Sequence, residues 1–223
     1  MIAKPALLLL TVLSAAASAQ TTRRIQAVGT ASITIKPDQA RIIVGVRTSA
    51  ATAQDAASQN STLVDAVIKA VTQVIGGKGS LKTVNYSITA DYRANNGQSQ
   101  LVGYIVTNSI EVSVNDLSLI GPVIDAAVQA GANSVGSPTF TLQDPEPVRQ
   151  QALSAAAKQA RAHAEAIASG LGGKTGAVIS AQEGASYTPL TANAAGATAG
   201  VSTPIQPGTL DISATVTLMV ELQ

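Results

Sequence analysis

"QARIIVGVRTSAATAQDAASQNSTLVDAVIKAVTQVIGG", residues 39–77, changes its hydrophobic period part-way along. Residues 40–48 carry Ile42, Val44 and Val46 on one face and Ile43 on the other, which predicts a strand interior to a sheet. Thr52 and Asp55 then form a capping-box pair ahead of Ala56, Asn60, Val64, Val67, Val71 and Val74, spaced as one face of a helix. Gly76-Gly77 stops that helix.

Downstream, two strands are expected at 81–92 and 101–114, joined through Asn95-Asn96-Gly97 in a hairpin. In the second, Tyr104, Val106, Ile110, Val112 and Val114 share a face opposite Thr107, Ser109, Glu111 and Ser113. A helix over 117–130 groups Ile120, Ile124, Ala127 and Val128 and stops at Gly131. Pro122 lacks a backbone donor, so 116–121 is expected to be a turn with the regular helix beginning near it. Another strand follows at 133–142. Residues 39–142 thus read strand, helix, strand, strand, helix, strand, the order of a ferredoxin-like split βαβ unit in an α+β fold.

This unit is extended at both ends. Ile25, Ala27, Gly29, Ala31, Ile33 and Ile35 alternate with more polar neighbours as one further strand, which Pro37-Asp38 ends. Asp144, Pro145 and Glu146 combine an N-cap, a proline at the first position and an acid at the positive dipole end. The long Ala-rich helix that starts there aligns Ala152, Ala156, Ala160, Ala164, Ile167 and Leu171, small side chains that allow close approach of a neighbour. A short strand is expected at 177–183, a flexible loop or flap at 184–208, and a closing strand in which Leu210, Ile212, Ala214, Val216, Leu218, Val220 and Leu222 alternate strictly.

Residues 1–19 read as an export signal. Met1 and Lys4 give a positive start, Ala6 to Leu13 an apolar core, and Ala17-Ser18-Ala19 a small-x-small cleavage site. An uncleaved anchor is the competing reading, but the apolar run falls short of the ~20 residues a membrane helix needs. The expected exported domain is 20–223, with the core unit at 39–142 and the helix, loop and closing strand at 143–223. The 14 Lys and Arg stand against 13 Asp and Glu, and loss of Lys4 evens the count. Such balance argues against nucleic-acid binding, which needs clustered cations. Without Cys the fold has no disulfides, and with one Phe, four Tyr and no Trp its core must come from Ala, Val, Ile and Leu.

Four segments carry a resemblance: "AVGTASITIKPDQARIIVGV" (27–46), "GYIVTNSIEVSVNDL" (103–117), "AAVQAGANSVGSPTFTLQDPE" (126–146) and "TPIQPGTLDISATVTL" (203–218). In order and spacing the chain resembles the SIMPL-domain family, which includes periplasmic immunogenic proteins and proteins linked to oxidative-stress defence. The match includes Pro37, Asp38, Gly103, Tyr104, Asn108, Gly131, Ala132 and Asn133. The resemblance implies an α+β envelope protein that tends to oligomerise, located in the periplasm, with full secretion as the alternative. It supplies no catalytic residue to carry over.

Catalytic motifs are sparse. Gly172-Gly173-Lys174-Thr175 resembles the end of a phosphate-binding loop, but position 168 is Ala and the run leaves a helix to enter a strand, the reverse of the required order. It reads as a helix stop. His163, the single histidine, does not share a helix face with Ala164 or Glu165 and reads as a surface residue with no assembled triad. One His and no Cys argue against zinc, copper or iron, and the scattered acids against calcium. No cofactor is expected. Asn108, on the apolar face of its strand, and Asn133, at the mouth of another, are expected to fix neighbouring backbone, with ligand contact as the alternative. Tyr86 and Tyr92 are expected in the core rather than on a carbohydrate platform.

Two functions follow. The first is a non-catalytic, homo-oligomeric envelope protein. Its stress role is indirect, since after cleavage only Met219 remains to be oxidised. The second is a hydrolase or small-molecule-binding enzyme with a cleft under 184–208.

Overall fold

The computed structural model describes residues 23–95, 98–187, 190–191 and 207–223. The expected leader, Asn96-Gly97 of the hairpin turn and most of the expected 184–208 loop lie outside the described residues.

In chain order the elements are β1 (Arg24–Ile35), β2 (Gln39–Ala50), α1 (Ala53–Ile75), β3 (Gly79–Asn95), β4 (Gln98–Val114) and α2 (Ile120–Gln129). Then come β5 (Ser134–Val135), β6 (Thr139–Thr141), α3 (Glu146–Gly170), β7 (Thr175–Tyr187), β8 (Leu190–Thr191) and β9 (Leu210–Leu222). They form a mixed α/β structure with two antiparallel sheets, ordered β3-β4-β2-β6-β8, with β5 also on β2, and β1-β9-β7.

On the first sheet, α1 and α2 cover one face. Thr52 begins α1: its hydroxyl accepts the Asp55 N–H at 3.1 Å and donates to Asp55 Oδ2 at 2.7 Å. Gly76 ends it in the left-handed region at φ 51°. The face between carries Val64, Val67, Val71 and Ile75 onto Ile42, Val44, Val46, Ile110, Val112 and Val114. Each such side chain contributes roughly 1.5–3 kcal/mol by leaving water. Pro122 is the third residue of α2, after a tight turn at Leu117–Leu119, so its missing donor falls in the first turn where no partner was available.

On the second sheet, α3 lies across β1 and β9 on a ladder of Ala152, Ala156, Ala160, Ala164 and Ala168. The approach is so close that a Cβ on Gly29 of β1 would stand 2.1 Å from the Ala156 carbonyl oxygen and 2.3 Å from the Ala160 nitrogen. Only glycine fits there. Two α3 side chains also reach the free edge of β1: Gln159 Oε1 accepts the Thr30 N–H at 2.6 Å, and His163 Nδ1 donates to the Val28 carbonyl at 2.8 Å. Leu142, which follows β6, joins Val148, Leu210 and Ile212 in a third, smaller cluster packed with Ile33 and Ile35.

Several expectations are corrected. The single strand at 133–142 is split into β5 and β6, because Pro138 cannot donate to the ladder. Residues 184–187 are not loop but the end of β7, whose backbone pairs with β9 through Tyr187↔Ile212 whatever the side-chain pattern. In α3 the buried face follows a four-residue step to Ala168, leaving Ile167 and Leu171 exposed, and in α2 Val128 is exposed. β2 does lie between strands, but only one of its faces is covered, so Ile43 is exposed. Tyr86 and Tyr92 are not core residues: they are 54% and 59% exposed, because α1 does not extend over the far part of the β3–β4 hairpin.

Candidate functional site

The uncovered face of the first sheet holds a groove of about 520 Å³ lined by Arg47 and Ser49 of β2, Asp91 and Arg93 of β3, Ile105 of β4, and Asn133 and Ser134 at the start of β5. Period two puts Arg47 and Ser49 opposite the buried Val46 and Thr48, and the register aligns Ser49 with Ile105 and Ile105 with Thr89. A second hollow of about 330 Å³ adjoins it, sharing Ser49, Asp91 and Arg93 and adding Ala50, Ala51, Val102, Gly103 and Tyr104. Gly103 lets β4 lie close against the end of β2 there, since a Cβ would stand 2.6 Å from the Ala50 carbonyl oxygen.

Asn133 fixes the groove's backbone. β5 pairs with β2 only at Val44↔Val135 and Gly45↔Ser134, and the Asn133 N–H then donates to the Gly45 carbonyl at 3.0 Å. The ladder would stop there. Instead the Asn133 side-chain amide accepts the Arg47 N–H at 2.8 Å and donates to the Arg47 carbonyl at 2.7 Å, as a peptide group of a longer strand would. The Arg47 main chain is thereby pinned while its side chain stays exposed. Among the described residues neither guanidinium, Arg47 or Arg93, has a hydrogen-bond or ion-pair partner, and neither does the Asp91 carboxylate.

The other residues singled out from sequence lie apart. Pro37 is buried at the β1–β2 corner, and Asp38 ties that corner to the end of β6 by donating its N–H to the Thr141 carbonyl (3.2 Å) and accepting the Gln143 N–H at Oδ1 (2.7 Å). Gly131, at φ 109°, turns the chain out of α2, with Leu63 against the space a Cβ would take. Asn108 opposes Val46 in the sheet interior, and its buried Oδ1 has no hydrogen-bond partner among the described residues. Beside it Asn60, 1% exposed, donates to the Val46 carbonyl at 2.9 Å, leaving its own Oδ1 unpartnered. Gly103, Tyr104 and Asn133 alone border the groove. Its charged residues were not singled out in the sequence, although an Arg facing away from Val46 and the Asp91-x-Arg93 spacing mark an outward polar row.

The remaining chemistry is structural. Gly172 takes φ 77° and the Gly173 N–H returns to the Ala168 carbonyl at 2.9 Å, so the Gly-Gly-Lys-Thr run closes α3. His163 is bonded to the sheet edge as described. Among the described residues no group of three or more His, Cys, Asp or Glu could hold a metal ion, and no helix is long and apolar enough to cross a membrane.

The same residues that form both sheets, 25–220, match the model of the family SIMPL, described as a protein of unknown function (DUF541). The chain belongs to the SIMPL family. This SIMPL chain is 29% identical over 152 residues to the "Uncharacterized protein YggE" of Escherichia coli (strain K12), covering 68% of its own length and 62% of the relative's. It is 27% identical over 165 residues to the "26 kDa periplasmic immunogenic protein" of Brucella melitensis biotype 1, covering 72% and 66%. The match therefore spans less than two thirds of these relatives. Neither of their names is that of an enzyme.

Proposed function

We propose that this SIMPL chain is a non-catalytic protein of the bacterial envelope, exported to the periplasm and working as a homo-oligomer. The observation that carries the oligomer is the β3–β4 hairpin. Beyond α1 its helix-side face bears Tyr86, Ile88, Tyr92 and Leu101, with Ile88 and Leu101 46% and 44% exposed. Among the described residues β3, the outer strand of its sheet, is paired on one side only, over 17 residues. A long edge with an apolar face is the kind of surface that proteins cover. A second copy supplies both an identical edge for backbone pairing and an identical apolar row, as a two-fold interface requires. Location in the periplasm is supported by the leader pattern of residues 1–19 and by the printed name of the Brucella relative. Any role in envelope or oxidative stress is indirect, because the exported chain offers no cysteine.

We read residues 39–142 as a ferredoxin-like split βαβ unit. The sheet order β3-β4-β2-β6, with α1 and α2 packed together on one face, supports that reading.

Light scattering over a range of concentrations tests the assembly. The purified protein should have a mass that is a fixed multiple of the chain and persists on dilution. Ile88→Lys with Tyr86→Lys should yield monomers with the far-UV spectrum unchanged. A wild-type monomer at every concentration would refute the proposal.

A further inference from the structure

We propose that the groove across the open face of the first sheet binds a free α-amino acid or the like zwitterion, a molecule carrying a carboxylate beside an ammonium group. This goes beyond the assembly reading, and it uses the face of the sheet opposite to Tyr86 and Ile88.

Arg47 and Arg93 line one groove, and among the described residues neither is neutralised. Two unpaired guanidiniums raise the local positive potential, and a carboxylate accepts from such forks through both oxygens. Asp91 stands on β3 two residues before Arg93. A strand rises about 3.3 Å per residue, which separates the two positions by roughly 6–7 Å and leaves room for a small molecule between their charged ends. The carboxylate of Asp91 forms no ion pair with either arginine. It is an acceptor for an ammonium group in the same groove.

The adjoining hollow completes the site. Asp91, Arg93 and Ser49 belong to both spaces, and beyond them Gly103, Val102, Ala50, Ala51 and Tyr104 line a pocket without a further charge. An amino acid whose carboxylate meets the arginines and whose ammonium meets Asp91 projects its side chain there. The framework is fixed in advance: Asn133 holds the Arg47 backbone at both its N–H and its carbonyl, so binding does not have to order that strand.

Isothermal titration of the full purified protein with L-leucine, L-glutamate and L-lysine tests the site, with N-acetyl-L-leucine, L-leucinamide and inorganic phosphate as probes lacking one or both elements. At least one amino acid should bind saturably, one per chain, and L-leucine should bind at least tenfold more tightly than its amide or its N-acetyl derivative. Arg93→Gln should weaken it at least tenfold. Asp91→Asn should abolish the preference over the N-acetyl form while keeping a carboxylate site. These side chains are not core residues, so the variants should unfold at the wild-type temperature. No saturable binding by any of the three amino acids would overturn the proposal. So would phosphate binding as tightly as L-leucine with Asp91→Asn silent, which would make the groove a plain anion site. Neither result bears on the oligomer, whose test is mass.

Discussion

α1 and α3 both lie on antiparallel sheets, yet they do so on opposite terms. α1 rests on valines and isoleucines, so its backbone stands off from the strands and the space between is filled by branched side chains. α3 rests on alanines and meets Gly29, so its backbone almost touches β1, and polar side chains of the helix reach the strand's own N–H and carbonyl groups. The first lobe is held by volume and the second by proximity. Sensitivity to mutation should differ in kind between them.

The largest effect is expected at Gly29. Gly29→Val would drive a branched side chain into the α3 backbone, which cannot give way as a side chain can, and should cost about 3 kcal/mol or more. Gly45→Ala in the first sheet is the control: the nearest atom to its Cβ would be the Ser134 Cβ at 3.2 Å, a side-chain atom, and it should cost under about 1.5 kcal/mol. Thermal unfolding of both variants checks the contrast, and near-equal shifts would break it.

Next comes the dependence on size. Val67→Ala, which empties space in the first core, should lose about 2–3 kcal/mol. Val67→Leu should be the milder change. In the second lobe the order reverses: Ala160→Leu adds apolar volume and should still cost about 2 kcal/mol or more, because no room exists for it. Urea denaturation of the three variants would show whether one lobe fears deletion and the other enlargement.

Smaller effects sharpen how the second lobe is held. Gln159→Ala removes the acceptor for the Thr30 N–H and should cost about 1 kcal/mol, with faster amide exchange at Thr30 than at Gly29 beside it. Unaltered exchange would mean that water serves the edge equally well. The smallest effect belongs to Asp116, an exposed carboxylate ahead of α2. The Ser118 hydroxyl, then Lys78 and the Ser118 N–H, hold it below its ordinary 3.8. A carboxylate lowered in the folded state stabilises above its unfolded pKa, and the contribution is lost as pH falls through the folded one. Asp116→Asn should therefore unfold slightly earlier than wild type at neutral pH, and the two melting curves should converge in acid below pH 3.8.

Much of this fold was legible because its strands and helices keep their periods. The alternation from Ile25 to Ile35 and from Leu210 to Leu222 sets the faces of two paired strands, and the α1 face was readable down to Asn60. Coverage was not legible. Period two says that Tyr86, Ile88 and Tyr92 share a side, but only the length of α1 against the length of the hairpin decides whether anything lies over them. The groove was hidden for a similar reason: Arg47, Asp91 and Arg93 meet through register across three strands, and no local pattern reports register. That Asn133 fixes neighbouring backbone is legible from its place at the mouth of a strand, but not that its amide extends the ladder to Arg47, because that depends on where the two-residue β5 falls against β2.

The alanine ladder of α3 has one more consequence. Ala152, Ala156, Ala160, Ala164 and Ala168 present the same small surface at every turn, so a slide of four residues, about 6 Å, would set alanine on alanine again. A seam of this kind resembles a rack with equal teeth: it holds the helix down without saying which tooth belongs where. The single correct notch is defined by Gly29 beneath Ala156 and Ala160 and by Gln159 and His163 reaching Thr30 and Val28, so three residues index a contact that five alanines make.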